Sequence, residues 1–285
     1  TEVGRITTPK DLFLAVALKY KHASLAPIAR RLRTMRFIHH SDDERTSRLR
    51  WVMSRLAEDP EQWTGIANAI AQVADLGVVG LELEEQEVPQ EVLDLLRRFP
   101  WSEDEDAEVP AEVLKELQRH LVLHHRGAGG EEYSLASSQQ SQGTLTWLAT
   151  VGPAIDALRL GQVLCIDELD ASLHPTLTAT LVDMFKDPDL NTRGAQIVFT
   201  THDTALLDNS PVQLLDAGEV WMTEKSSFGA SELFSLADFP SNRKGTNKQR
   251  RYLAGAFGAI PRVDASSLRR YLSTPAEAKG DDTTE

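Results

Sequence analysis

One cysteine, Cys165, stands among 285 residues. That count excludes an internal disulfide and any metal site built from several thiolates. No stretch reaches 18 consecutive apolar residues, which excludes a membrane-spanning helix. The first residues, Thr1-Glu2-Val3-Gly4-Arg5, show no basic segment followed by an apolar run, so no secretory signal is read there. The cytoplasm is the expected compartment. An initiator Met is also missing, and the chain is expected to be a fragment or a processed product. Basic residues are outnumbered, 30 against 43 acidic, for a net charge of −13. A uniformly basic nucleic-acid binder is thereby disfavoured. Finally, no Gly-x-x-x-x-Gly-Lys-Ser/Thr occurs, the loop whose main-chain N–H groups and lysine cradle phosphates. Gly127, Gly129 and Gly130 run into Glu131-Glu132, whose charge repels phosphate, and Gly245 has no partner at the required spacing.

What is present is ordinary in amount, with 41% hydrophobic and 26% charged residues, but uneven in placement. Nine Lys/Arg and three acids lie in 19–50, thirteen acids and three bases in 82–117, and five bases without an acid in 243–251. Such runs are read first as solvated faces, and the basic ones also as surfaces that could meet phosphate. Apolar residues at helical spacing fill 11–37. Ser41-Asp42-Asp43-Glu44 opens a helix to about Leu56, because short oxygen-bearing side chains cap free N–H groups and early carboxylates suit the helix dipole. A second helix is expected from Pro60 to Asp75, then a strand over 76–84. Short helices are expected to begin at Pro89 and Pro110, with an exposed acidic loop, 101–108, between them. A hairpin follows, His120–His125 returning as Glu132–Leu135 across a glycine-rich turn. Leu145–Leu160 and 175–186 read as helices. The apolar runs 162–166 and 195–200 read as strands buried on both faces. Shorter strands are expected at 212–221 and 231–236, and a disordered tail from Pro275.

Three groups of residues carry chemistry. The first is Val163-Leu164-Cys165-Ile166-Asp167-Glu168, a buried strand that ends in two carboxylates. Open α/β sheets bind ligands at that edge. One carboxylate there suffices for Mg²⁺, which keeps most of its waters, and the next can orient and deprotonate an attacking water. The second is Phe199-Thr200-Thr201-His202-Asp203, closing the next strand 34 residues beyond Glu168, where an imidazole can donate to a terminal phosphate oxygen. The third is Ser141-Gln142-Gly143-Thr144, a cap and a glycine before a helix, whose free N–H groups suit an anion. Singly, each is commonplace.

Their order, with Asp167-Glu168-Leu169-Asp170-Ala171-Ser172-Leu173-His174-Pro175 between them, resembles the signature, Walker B, D-loop and switch-histidine elements of ABC-type ATPases of the AAA family. The resemblance is to the AAA15/AAA21-like, RloC-like group, related to the SMC and OLD ATPases. Arg251 to Pro261 is similar to the C-terminal signature of that group. The likeness is strongest over 131–261 and recognisable over 6–130.

The resemblance implies an α/β fold: an ABC-type P-loop NTPase head, a parallel-rich sheet flanked by helices, carrying a mostly helical insertion. It implies four segments: 1–40 as the end of an N-terminal lobe with linking helices, 41–130 as insertion and signature lobe, 131–261 as the ATPase core, and 262–285 as a C-terminal helix and tail. Asp167 would hold Mg²⁺, Glu168 would act as general base or position water, and His202 would contact the γ-phosphate. Ser141, Gly143 and Thr144 would bind the ATP held by the opposite subunit. Ala171, Ser172 and Leu173 would form the D-loop at the dimer interface. ATP and Mg²⁺ are the implied cofactors. The implied partners are a second copy across an ATP sandwich, an effector nuclease or toxin, and nucleic acid, but no membrane. The implied setting is prokaryotic defence or DNA maintenance.

Two departures separate the chain from transporters: Ser-Gln-Gly-Thr stands in place of Ser-Gly-Gly-Gln, and His174 in place of an aspartate. The absent phosphate loop is the larger one. In the family it lies before all the residues seen here, so the chain is expected to be the C-terminal portion of a longer ATPase and inactive alone. A non-catalytic interaction module is the rival reading. Among smaller candidates, His39-His40 and His124-His125 are weak metal ligands, Cys165 is a small buried apolar residue, and Arg243, Lys244, Lys248, Arg250 and Arg251 could serve nucleic acid or structure.

Overall fold

The computed structural model describes residues 2–39, 41–74, 77–99, 109–209, 212–240, 246–261, 265–266 and 269–270. The expected acidic loop 101–108, the tail from Pro275, His40, Arg243 and Lys244 lie outside the described residues. The chain divides into two compact units, Thr1–Thr204 and Ala205–Glu285. Among the described residues no helix is long and apolar enough to cross a membrane.

In the first unit, three short helices open the chain: α1 (Glu2–Ile6), α2 (Phe13–Lys19) and α3 (Leu25–Arg33). The expected helical stretch 11–37 is thus broken, at Lys21 with its positive φ of 52°. It ends in a strand, β1 (Arg36–Ile38). Three residues are too few to show a period of two; β1 exists because it pairs in parallel with the later strand β5 (Val163–Ile166). Helix α4 (Asp42–Glu58) begins where expected, since Ser41 Oγ accepts from Glu44 N at 3.3 Å. Helix α5 (Pro60–Val73) is capped in the same way by Asp59, whose carboxylate accepts from Gln62 N at 3.2 Å.

The strand β2 (Val78–Glu85), helices α6 (Gln90–Leu96) and α7 (Ala111–Gln118), and strands β3 (Arg119–Arg126) and β4 (Glu132–Ala136) follow. Pro89 and Pro110 precede their helices with extended ψ values of 140° and 135° instead of serving as first helical residues. The three strands form an antiparallel sheet in the order β2-β3-β4. Its apolar face, with Leu81, Leu121 and Leu123 buried, packs on α5. On the opposite face His124 Nε2 meets Glu82 Oε2 at 2.9 Å while its Nδ1 meets Ser134 Oγ at 3.0 Å. Both ring nitrogens are thus engaged.

Helix α8 (Gln142–Leu160) is the centre of the unit. Trp147 is fully buried and donates through Nε1 to the Ile70 carbonyl at 2.9 Å. Strand β5, helix α9 (Pro175–Lys186) and strand β6 (Gln196–Phe199) complete a parallel sheet of order β1-β5-β6. Ile38, Leu164 and Ile166 are buried on one side. The other side differs from expectation: Phe37, Cys165 and Val198 are register neighbours across the three strands, with Phe37 64% and Val198 58% exposed. The continuous apolar runs were expected to be covered on both faces, and among the described residues one face stays open.

The second unit holds the antiparallel hairpin β7 (Trp221–Lys225) and β8 (Ser231–Ser235) and the helix α10 (Lys248–Leu253). Its core is Val220, Met222, Leu236 and Phe257. Of the strand expected at 212–221 only Trp221 is in a strand, because a short turn, Ala217–Glu219, is fixed there by Glu219 Oε2 accepting from Asp216 N at 2.7 Å. Lys248 is buried and donates Nζ to the Leu215 carbonyl at 2.6 Å, and the Arg251 guanidinium lies 4.8 Å over the Phe257 ring.

Candidate functional site

The carboxyl ends of β1, β5 and β6 bring the predicted residues together. At the end of β5 the Asp167 N–H donates to the Ile38 carbonyl of β1, at 2.9 Å, and the Thr200 N–H donates to the Ile166 carbonyl, at 3.0 Å. Three strand ends are thus locked at one level. Thr200 then does double service. Its hydroxyl donates to Asp167 Oδ1 at 2.6 Å and accepts the Glu168 N–H at 2.8 Å. One oxygen of Asp167 is fixed, and Oδ2 faces outward with His39 Nδ1 3.9 Å away; both side chains are 58% exposed.

Glu168 sits in the left-handed region, φ 53°. The main chain is held there by the bond from Glu168 N and by two more: Leu169 N to the Thr200 carbonyl at 2.9 Å and Ala171 N to the Glu168 carbonyl at 2.8 Å. A side-chain-bearing residue held in such a conformation is common at functional sites, where surrounding structure over-determines it.

Asp170 joins this turn to the loop that carries His202. Its Oδ1 accepts from Thr201 Oγ1 at 2.6 Å and from the His202 N–H at 3.2 Å. Burial alone would raise its pKa, but the hydrogen bonds from Thr201, from its own main chain and from His202, with the nearby His202 charge, outweigh burial and hold the carboxyl below its ordinary value. The His202 position is therefore set through Asp170.

Ser141 caps α8: its Oγ accepts from Thr144 N at 3.1 Å and lies 2.8 Å from Thr144 Oγ1. Thr144 is buried. Gly143 packs against the segment Ala171–Leu173 of its own chain, where a β-carbon would come within 3.2 Å of the Ser172 carbonyl. The cap of α8 and the segment Ala171–Leu173 therefore form one surface. Leu173 is buried beneath it, Ala171 is half-buried and Ser172 is exposed at φ 60°. His174 Nδ1 accepts from Thr176 N at 3.2 Å and caps α9.

Among the described residues no group of three His, Cys, Asp or Glu side chains could hold a metal. Mg²⁺ does not require one, since it takes one or two carboxylates and completes its shell with phosphate oxygens and water. Asp167, with Oδ1 committed to Thr200 and Oδ2 open, fits that requirement.

Three residues of this cluster escape a reading of the sequence for roles: Asp170, Thr200 and Thr201. Thr200 and Thr201 stand in the quoted strand motif, and Asp170 in the quoted loop, but their bonds link positions 31 to 33 apart. His39 is read in the sequence only as a weak metal candidate beside His40; its place near Asp167 depends on β1, which is set by pairing with β5.

A parallel three-stranded sheet flanked by helices is the architecture of a P-loop NTPase-like fold. A family model described as "AAA domain, putative AbiEii toxin, Type IV TA system" matches residues 12–208, more than two thirds of the chain, which belongs to that family. No curated protein sequence matches it.

Proposed function

We propose that the chain is the head of an ATP-hydrolysing, dimerising conformational switch. The observation that carries this reading is the strand-end cluster in which Thr200 fixes Asp167 and the Glu168 main chain while Asp170 fixes the His202 loop. Asp167 would hold Mg²⁺ through its open oxygen, and the ion supplies charge neutralisation to the phosphates. Glu168, exposed at the turn, orients water and accepts its proton. His202 donates to a γ-phosphate oxygen. The α8 cap, Ser141 to Thr144, meets the nucleotide of a second copy, with Ala171, Ser172 and Leu173 at the same interface. Phosphoryl transfer depends chiefly on positioning and electrostatics, so this division of labour needs little else from the protein.

These 285 residues contain no phosphate loop, and that observation favours a second reading, an interaction module that neither binds nor hydrolyses ATP by itself. The family description, which names a putative toxin of a toxin–antitoxin system, favours a prokaryotic defence or DNA-maintenance setting; an effector nuclease or toxin is the partner this reading proposes. The test is Mg²⁺-dependent ATP turnover by the 285-residue chain and by the longest natural form of the protein. The switch reading expects an inactive chain and an active long form whose turnover is lost in Glu168→Gln while ATP binding remains. A long form that binds ATP and dimerises without turnover overturns catalysis and supports the interaction module.

A further inference from the structure

A groove of about 750 Å³ lies at the amino ends of β1 and β5, the opposite end of the parallel sheet from Asp167. Its walls are the end of α4, the start of α5, the end of α8 and the segment before β6. Two of its arginines are already neutralised: Asp156, with only 10% of its side chain exposed, pairs with Arg36 at 2.8 Å and stands 3.9 Å from Arg55. Arg55 also meets Glu58 at 3.3 Å. Arg159 and Arg193 are different, since neither guanidinium has a partner among the described residues. Gly161, at φ 64°, brings them into one neighbourhood: it ends α8 and lets the Arg193 main chain approach so closely that a β-carbon would lie 2.7 Å from the Arg193 carbonyl. Beside these two charges Leu160 and Leu190 are 52% and 54% exposed. The groove therefore offers two free cations next to an apolar strip. A nucleic-acid backbone would bring a charge at every step, whereas the groove offers only these two free cations among its described residues.

The complement is present on the same chain. Helix α7 buries none of its residues. Glu112 and Glu116 stand one turn apart on one side, with Val113 and Leu117 one turn apart beside them. Neither glutamate has a partner among the described residues. We propose that the groove receives α7 of a second copy of this chain, Glu112 and Glu116 meeting Arg159 and Arg193 while Val113 and Leu117 cover Leu160 and Leu190. The contact is reciprocal, each copy giving one helix and one groove, as a two-fold dimer requires. It lies at the far end of the sheet from the nucleotide edge, so it forms without ATP and does not depend on the reading of that edge.

The test is the solution mass of the chain without nucleotide, by light scattering behind a sizing column. The proposal expects a dimer, twice 31.6 kDa. Arg159→Glu with Arg193→Glu, and separately Glu112→Lys with Glu116→Lys, should each give monomers, the dissociation constant rising at least about tenfold. All four positions are exposed, and circular dichroism checks that both variants remain folded. Mixing the two variants restores both contacts and should give a heterodimer. A wild-type monomer at micromolar concentration, a dimer that appears only with ATP, or a dimer indifferent to the groove variant each overturns the proposal. The second of those outcomes would at the same time support the ATP switch.

Discussion

Glu168 holds a left-handed φ of 53°, a conformation that costs a side-chain-bearing residue about 1–2 kcal/mol and glycine almost nothing. If the turn is kept for function, relieving it should stabilise the fold. Glu168→Gly is expected to be about 1 kcal/mol more stable than Glu168→Ala, measured as a shift in urea midpoint at unchanged slope. Equal midpoints would mean that the turn carries no such cost. Asp170 makes the opposite case, a residue whose bonds hold two segments together. Asp170→Ala should lower stability by about 1–3 kcal/mol at neutral pH, since it removes the acceptor for Thr201 Oγ1 and His202 N. Its pKa is depressed in the fold. The stability it gives is therefore complete above the unfolded carboxyl value, about 3.9, and is lost as pH falls through the lower folded value. The gap between wild type and Asp170→Ala should accordingly be constant from neutral pH down to about pH 5 and narrow below about pH 4. A gap that stayed constant across that window would show that the ionised carboxylate is not what matters.

At the scale of elements, legibility follows how local the cause is. Helices α4 and α5 were readable because Ser41 and Asp59 cap them within three residues. Strand β5 was readable from its apolar run, and the Asp167-Glu168 pair after it is the part of the site that any sequence reading finds first. Strand β1 was not, because three residues in a helically spaced region become a strand only by pairing with β5, over 120 residues later. Thr200 and Asp170 were illegible as linkers for the same reason: their partners come from the neighbouring strand end. The open face of the sheet was misread because a continuous apolar run states what a strand could bury, not what covers it. Cys165 lies on that face between Phe37 and Val198. Partial burial pushes its thiol pKa up. It should react with a disulfide reagent at pH 7 more slowly than a free cysteine, because less of it is thiolate. A rate equal to that of free cysteine would contradict the raised value. Gly161 tests the joint between α8 and the segment before β6. Gly161→Ala meets both a positive φ and the Arg193 carbonyl, and should lower stability by about 1–3 kcal/mol in thermal melts.

The chain divides into two compact units, and each has its own core. The carboxyl edge of the parallel sheet, the α8 cap and the segment Ala171–Leu173 all belong to Thr1–Thr204, and the family match ends four residues beyond it. The basic stretch around 243–251 belongs to the other unit; of its described bases Lys248 is buried on a main-chain carbonyl and Arg251 lies over an aromatic ring, while Arg250 is exposed. A charge run in the sequence is thus not a surface until its side chains are found. The second unit rests on four buried residues, of which Phe257 is the largest, packed edge-on to Phe239 with ring centres 5.2 Å apart. Phe257→Ala removes the ring and leaves a cavity, a change that costs about 3–5 kcal/mol in well-packed cores. Because Trp147 and the helices around it form a separate core, the loss should stay within the second unit. Hydrogen exchange read peptide by peptide should show protection falling across β7, β8 and α10 while α8 keeps its own. If α8 loses protection to the same extent, the two units unfold as one and the stability of the carboxyl sheet edge depends on residues that lie outside the family match.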